Sequence, residues 1–197
     1  EFRRVLFRSD TDVFCHTWSN QNVTKIIQQL KPKKFVYEKQ VAFNIPKKYN
    51  ARHMNNCFSN WYSYMKADQL RLSWEKETAT TYDLVVACRF DIEFKINRPF
   101  NRWDTSQIYI LDPNISPSPS IKPSLAHIDY LFFGSPAKMT TFCQLFNHIE
   151  EYLEQLIVEG RRLNGWFNHY AARLHIARKV GNFRIANKDD LYAMFLH

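Results

Sequence analysis

The fold is decided by the stretch DVFCHTWSNQNVTKIIQQLKPKKFVYE, which runs from Asp12 to Glu38. Its first seven residues are mainly apolar and rich in strand formers, and Ser19 follows them as a stop. Residues 22–30 place Val, Ile and Leu side chains at helical spacing before a Lys-Pro pair ends the helix. A second strand is predicted at 35–38. Strand, helix and strand in this order indicate a βαβ unit with parallel strands.

The same alternation continues along the chain. The apolar pattern predicts an amphipathic helix at 60–77 after a loop at 40–56, and a Pro/Ser-rich loop at 112–124. It also predicts strands at 82–88, 107–111, 127–134 and 182–186, and helices at 137–158 and 164–178. We therefore predict an α/β fold in one domain over residues 10–197, with an open, mostly parallel sheet flanked by helices.

The composition is that of a globular protein with a heavy aromatic load. Of the 197 residues, 45% are hydrophobic and 16% aromatic, which is enough to build a large core and argues against disorder. The four cysteines show no CxxC spacing, which favours buried free thiols in a reducing compartment over a zinc site. No apolar run reaches the length of about 18 residues that a membrane-spanning helix needs. We therefore expect a cytoplasmic protein, with room for peripheral membrane association.

Residues 1–9 (EFRRVLFRS) resemble the translation of a common sequencing adapter, so we expect them to be an artefactual leader on an N-terminally truncated domain. Without their three arginines and one glutamate, the formal net charge falls from +8 to +6. The remaining bases form short, separated clusters at Lys31–Lys34, Lys47–Lys48 and Arg161–Arg162. Such clusters suit solvated faces or an anionic substrate, and nucleic acid is not the expected partner.

Charged residues that follow a buried strand are the first candidates for chemistry, because ligands of parallel sheets bind at the carboxyl ends of strands. Arg89, Asp91 and Glu93 follow the strand at 82–88. Two carboxylates two residues apart lie on one side of an extended backbone and can share Mg²⁺ or Mn²⁺, while the arginine contacts phosphate. The alternative is an edge strand whose charges alternate toward water.

Four blocks of the sequence resemble a group of bacterial and viral glycosyltransferase-like proteins of GT-A type. They are Asp12-Val-Phe-Cys-His-Thr-Trp18, Trp61-Tyr-Ser63, Tyr82-Asp-Leu-Val-Val-Ala-Cys-Arg-Phe-Asp91 and Asp129-Tyr-Leu-Phe-Phe-Gly-Ser135. The match covers about residues 12–160. The resemblance implies a GT-A-like (Rossmann-like) fold and a nucleotide-sugar donor, with a glycan or another molecule as the acceptor.

The resemblance also implies roles for single residues. Asp91 takes the metal-binding position, with Glu93 where the second carboxylate would stand, and Arg89 joins them at the diphosphate. Asp129 is expected near the transferred sugar; alternatively, it caps the entry of a strand. His16 and Asp12 are each either structural or functional, and His16 is more typical of a hydrogen-bonded core histidine than of a base. Trp61 or Tyr62 is expected to be core or to stack on a sugar or base.

His169 and Arg173 lie four residues apart on one face of the helix predicted at 164–178. Histidine is the residue type most often used as a general base near neutral pH, which suggests His169 for that role, and Arg173 suits a diphosphate contact. The alternative is a solvated amphipathic helix. Two rival functions remain open at this stage. One is a non-catalytic carbohydrate- or nucleic-acid-binding module, and the other is a degenerate glycosyltransferase-like fold kept for protein interaction.

Overall fold

The structure is a computed structural model that describes residues 11–19, 23–46, 49, 51–90, 92–96, 98, 102–111, 131–160, 167–186 and 191–195. The chain divides into two compact units, Glu1–Thr81 and Tyr82–His197. The prediction of a single domain over residues 10–197 stays a prediction. The predicted loop at 112–124 lies outside the described residues.

The first unit contains the βαβ arrangement that the sequence predicts. Strand β1 (Phe14–Trp18) pairs in parallel with strand β2 (Lys34–Glu38), and helix α1 (Val23–Leu30) connects them. The register pairs Trp18 with Glu38. Both strands therefore end at the same edge, and these two side chains lie on the same face of the pair.

A long helix, α2 (Ala51–Thr78), packs on both strands of this pair. From residue 60 onward it matches the helix predicted at 60–77, but it begins nine residues earlier, inside the predicted loop. The early start has a physical cause. Met54, Cys57 and Phe58 are buried and continue the apolar stripe at helical spacing, although polar residues separate them in the sequence.

The second unit contains a four-stranded sheet in the order β3-β6-β5-β7. Its strands are β3 (Val85–Cys88), β5 (Ile108–Leu111), β6 (Leu131–Gly134) and β7 (Phe183–Ala186). Strand β6 pairs antiparallel with both β3 and β5, whereas β5 pairs in parallel with β7. Separately, β4 (Ile92–Ile96) pairs antiparallel with β8 (Leu191–Phe195).

The sheet of the second unit has an aromatic core on both faces, because side chains along β6 alternate. On one face, the Phe132 ring lies 4.4 Å from that of Phe142. On the other face, Phe133 stacks on Tyr109 at 4.8 Å, and Trp103 packs edge-on against both rings. All four residues of β6 are buried.

Helices follow β6 directly. Helix α3 (Pro136–Cys143) begins with Ser135 as its N-cap and with proline at its first position, which suits both residues. A 3-10 segment, Gln144–His148, separates α3 from α4 (Ile149–Val158), although the sequence predicts one helix at 137–158. This segment contains neither Gly nor Pro. We therefore attribute the break between α3 and α4 to tertiary packing, which helix propensity does not predict.

The last helix is α5 (Phe167–His175), which continues into a π-helical segment, Ile176–Val180. The predicted helix at 164–178 is confirmed over its described part, and β7 confirms the strand predicted at 182–186.

The predicted combination of helices and strands is confirmed, since both units contain both kinds of element, but helices alternate with strands only in the first unit. The open, mostly parallel, GT-A-like sheet is not confirmed. Among the described strands, the sheets are small and mixed, and three of the five pairings are antiparallel. The reason is that the order of strands and helices along a chain does not fix which strands become neighbours. The buried strand β6 pairs with β3 and β5 in the antiparallel sense.

Candidate functional site

The residues predicted to bind the donor fall only partly on the described chain. Asp91 and Asp129 lie outside the described residues. Arg89 follows β3 directly and is half-buried. Glu93 is the second residue of β4, where its backbone pairs with that of Met194. Glu93 therefore lies on β4, whereas Arg89 directly follows β3. The assignment of these residues to a donor site stays a prediction.

His169 and Arg173 both lie on α5, as predicted, but in different surroundings. The His169 residue is only 8% exposed, whereas Arg173 is exposed to solvent. The two residues therefore straddle the boundary between the buried and open sides of the helix. Their roles as base and diphosphate contact stay predictions.

Within the residues that the structure describes, no group of three or more His, Cys, Asp or Glu side chains is arranged to hold a metal ion. Asp91, the central ligand of the predicted Mn²⁺ or Mg²⁺ site, is not among those residues. The backbone of Glu93 is extended, which is the geometry that the two-residue spacing of the carboxylates requires.

One buried polar group of the first unit surrounds His16, at the middle of β1. Its Nδ1 lies 3.0 Å from Ser63 Oγ on α2, and its Nε2 lies 2.9 Å from Glu38 Oε1 on β2. Burial lowers the pKa of His16, against the opposing effect of Glu38. The hydrogen bond from His16, in turn, lowers the pKa of the Glu38 carboxyl. The expected state at neutral pH is a neutral imidazole beside a carboxylate.

The proton positions in this group follow from counting donors. Ser63 Oγ also lies 2.9 Å from the carbonyl oxygen of Ser59. With a neutral His16, the proton on Nε2 serves Glu38, and the Ser63 hydroxyl donates to Nδ1. With a protonated His16, Nδ1 donates to Ser63, which frees the hydroxyl to donate to the Ser59 carbonyl. Protonation of His16 therefore redirects the Ser63 hydroxyl.

Aromatic rings and two further polar groups adjoin this histidine. Trp18 and Tyr62 stack with ring centroids 5.3 Å apart, and His16 packs edge-on against both rings. The Tyr62 side chain is hydrogen-bonded to Glu38 and Lys66, and the Lys66 ammonium lies 5.3 Å from the centre of the Tyr62 ring. Burial raises the pKa of Tyr62, so its hydroxyl remains a donor at neutral pH. We call Trp18, Glu38, Tyr62 and Lys66 the edge cluster.

Two of the four sequence blocks described above meet at this place. His16 and Trp18 come from the block at 12–18, and Tyr62 and Ser63 come from the block at 61–63. The sequence pattern does not identify Glu38, Ser63 or Lys66 as functional residues. The position of Glu38 could have identified it from sequence, because a carboxylate at the end of a strand in a predicted βαβ unit is a candidate ligand-binding residue.

Trp61 and Tyr62 take separate roles. Trp61 is fully buried in the core, whereas Tyr62 is half-buried and belongs to the edge cluster. His16 is a buried, hydrogen-bonded histidine, as the pattern of its strand favours. Asp12 forms an ion pair with Lys33 at 3.5 Å, which agrees with its structural interpretation.

A second buried histidine belongs to the core of the second unit. His175 Nε2 donates to the carbonyl oxygen of Thr141 at 2.7 Å, so its Nδ1 accepts from the Tyr152 hydroxyl at 2.8 Å. Burial lowers the pKa of His175 to about 4 and raises that of Tyr152 to about 12. Both bonds are satisfied by neutral groups, which is the arrangement of a structural histidine.

None of the four cysteines forms a disulfide. Cys15, Cys57 and Cys143 are buried, as predicted, whereas Cys88 is half-buried. No helix in the described part of the chain has the length and apolar character to cross a membrane.

The chain matches no protein-family model, and no curated protein matches its sequence.

Proposed function

We propose that the chain is a glycosyltransferase-like protein that transfers a sugar from a nucleotide-diphosphate donor to an acceptor. The observation that supports the proposal is the convergence of two sequence blocks on the edge cluster of the first unit, whose aromatic rings and carboxylate suit the sugar part of a ligand rather than its diphosphate. This cluster lies where β1 and β2, two parallel strands, end together. Such ends are where ligands of α/β folds bind. The finer GT-A-like architecture belongs to the same proposal.

In this proposal, the oxygen of an acceptor hydroxyl forms a bond to the anomeric carbon of the donor. The bond from that carbon to the diphosphate breaks, the nucleotide diphosphate leaves, and the hydroxyl proton passes to a base. Arg89 and Arg173 are assigned to the diphosphate, Asp129 to the transferred sugar, and His169 to the base. Mn²⁺ or Mg²⁺, held by Asp91 and Glu93, would supply compensation for the charge of the diphosphate.

The test measures binding of a panel of nucleotide sugars, with and without Mn²⁺, by calorimetry, together with release of the nucleotide diphosphate. We expect Asp91→Asn to reduce metal-dependent donor binding by at least about tenfold, as loss of one charged metal ligand costs more than about 1.4 kcal/mol. Asp83→Asn is the matched control, because Asp83 is an exposed carboxylate that precedes the same strand. No donor binding, or equal binding in both variants, would contradict the proposal.

The alternative is a non-catalytic binding module, and the structure favours a carbohydrate over a nucleic acid as its ligand. Two lysines of the cluster at 31–34 are already engaged: Lys33 pairs with Asp12, and Lys34 lies 2.5 Å from Glu77. Their charges are thus partly compensated and less suited to a row of phosphates. The stacked Trp18 and Tyr62 rings beside Glu38, in contrast, are the kind of surface that sugars contact.

A further inference from the structure

The edge cluster joins side chains from two strands and one helix at a single place. Trp18 and Glu38 are register partners at the last positions of β1 and β2, so their side chains stand next to each other. Tyr62 and Lys66, one turn apart on α2, complete the group. All four side chains are half-buried, so each is held by the protein and still reaches solvent.

Glu38 keeps unused hydrogen-bonding capacity at this surface. A carboxylate has about four acceptor positions. Within the described chain, the Glu38 side chain receives hydrogen bonds from His16 and Tyr62, and 34% of it is exposed. The lowered pKa of its carboxyl keeps it an acceptor at neutral pH. It is therefore a fixed carboxylate that can accept further hydrogen bonds from a ligand.

Trp18 offers an aromatic ring and a donor beside that carboxylate. One face of its ring is stacked on Tyr62, and the edge of the His16 ring fixes its orientation. Within the described residues, the indole N–H of Trp18 makes no hydrogen bond, and it is not among the buried polar atoms without partners. It is thus open to water or to a ligand.

These features select a ligand with hydroxyl donors and a weakly polar C–H face. A pyranose ring has both: its hydroxyls donate to a carboxylate, and its C–H face packs on an aromatic side chain. A phosphate group is disfavoured at the edge cluster, because the Glu38 carboxylate repels an anion. A purely apolar ligand would leave the Glu38 oxygens desolvated and unpaired.

We propose that the edge cluster is a carbohydrate-binding site in which Glu38 accepts hydrogen bonds from ring hydroxyls and Trp18 contacts the sugar. This goes beyond the proposed glycosyl transfer, because it assigns sugar recognition to the first unit and requires no nucleotide, metal or reaction. It holds whether the protein is an enzyme or a binding module.

The experiment records saturation-transfer NMR spectra and tryptophan fluorescence of the full chain. The probes are free glucose, galactose, mannose and N-acetylglucosamine, each tested without nucleotide or metal. We expect at least one of them to bind with a Kd in the millimolar range, as a single small site of this polarity allows. Glu38→Gln should weaken binding about tenfold, since a bond to a charged acceptor becomes a bond to a neutral one.

Glu77→Gln serves as the matched control, because Glu77 is a carboxylate of the same unit that bonds Lys34 away from the edge cluster. It should leave sugar binding unchanged. Trp18→Phe keeps a ring but removes the N–H, and it should weaken binding while preserving the helical circular dichroism spectrum. Failure of all four sugars to bind, or equal effects of the two Glu→Gln changes, would overturn the proposal.

The result separates this inference from the proposed function. Binding of a free sugar without any affinity for nucleotide sugars would support the carbohydrate site and count against the transferase. Transfer activity that is unaffected by Glu38→Gln, in a protein that binds none of the free sugars, would support the transferase and contradict the carbohydrate site.

Discussion

At the scale of single residues, the two buried histidines, His16 and His175, show how burial sets protonation. Each one bonds through both ring nitrogens, and burial lowers the pKa of each. They differ in their partners, since His175 faces a carbonyl and a phenol whereas His16 faces a carboxylate. The hydrogen bonds of His175 to Tyr152 and Thr141 therefore bring no carboxylate to its ring, and burial lowers its pKa to about 4.

The stability of the protein should consequently depend on pH through His175. Its pKa is about 4 in the folded chain against 6.5 as the ordinary value. Between these values, the unfolded chain binds one more proton, so the free energy of unfolding rises with pH by about 1.4 kcal/mol per pH unit. The contribution is complete above pH 6.5, and about 3 kcal/mol of it is lost as the pH falls toward 4.

Urea unfolding of wild type and His175→Gln between pH 4.5 and 7.5 measures this contribution. The variant keeps a donor for the Thr141 carbonyl, and it should be less stable near pH 7 but show a shallower pH dependence than wild type. Parallel pH profiles for wild type and His175→Gln would show that His175 does not carry the effect.

At the scale of secondary-structure elements, the sequence predicts most of what local pattern determines. β1, α1 and β2 fall where the apolar pattern places them, since each is a short segment bounded by stop signals. The early start of α2 and the 3-10 segment after α3 were not predicted. In both, the decisive information is contact between residues far apart in sequence, which a periodic pattern does not contain.

The candidate site follows the same division. The spacing and the resemblance predict a site at the charged residues after β3, because a strand and the charges that follow it form one continuous stretch of sequence. The edge cluster was missed because it needs the Trp18–Glu38 register and the packing of Tyr62 from α2. Neither property is readable before the strands and the helix are assembled.

The pairing of β5 with β6 depends on a glycine. A Cβ atom at Gly134 would lie 2.9 Å from the backbone oxygen of Gln107 and 3.3 Å from the Cα of Ile108. These are backbone atoms of the neighbouring strand or next to it, so they move only if the sheet does. We expect Gly134→Ala to destabilise the protein by about 1–3 kcal/mol, the usual cost of overpacking.

Gly160 provides the control for this change. It has a positive φ of 67°, but nothing lies within 4 Å of its added Cβ. Asn tolerates this backbone conformation, so Gly160→Asn should change the free energy of unfolding by less than about 1 kcal/mol. Thermal and urea unfolding of both variants give the comparison. Equal stability of Gly134→Ala and wild type would mean that β5 and β6 are not as close as described.

At the scale of the whole molecule, each compact unit contains two of the four cysteines, so thiol labelling can follow the unfolding of each unit by itself. Cys15 and Cys57 lie in the first unit, on β1 and α2, and Cys88 and Cys143 lie in the second, on β3 and α3. A thiol reagent labels a buried cysteine only when the structure around it opens. Labelling at the buried Cys15, Cys57 and Cys143 therefore measures local opening of the element that carries each of them.

Packing within each unit determines which cysteines should become reactive together. β1 is tied to α2 through the contact between His16 and Ser63, and α3 is tied to the sheet of β3 and β6 through the contact between Phe132 and Phe142. Opening one member of such a pair exposes the buried side chains of the other, so each pair should open cooperatively. Burial also raises the pKa of the Cys88 thiol to about 12, which makes it slow to react while the second unit is folded.

Pulse labelling with iodoacetamide across a urea gradient, read by peptide mass spectrometry, tests this at all four positions. We expect Cys15 and Cys57 to share one midpoint and Cys88 and Cys143 to share one midpoint, with four thiols labelled in full denaturant under non-reducing conditions. Cys15→Ser is the control for cross-talk between labels, since the other three midpoints should keep their pairing. If Cys57 became reactive well before Cys15, α2 would open without β1. The pairing of Trp18 with Glu38 would then not depend on the packing of α2 against β1 and β2.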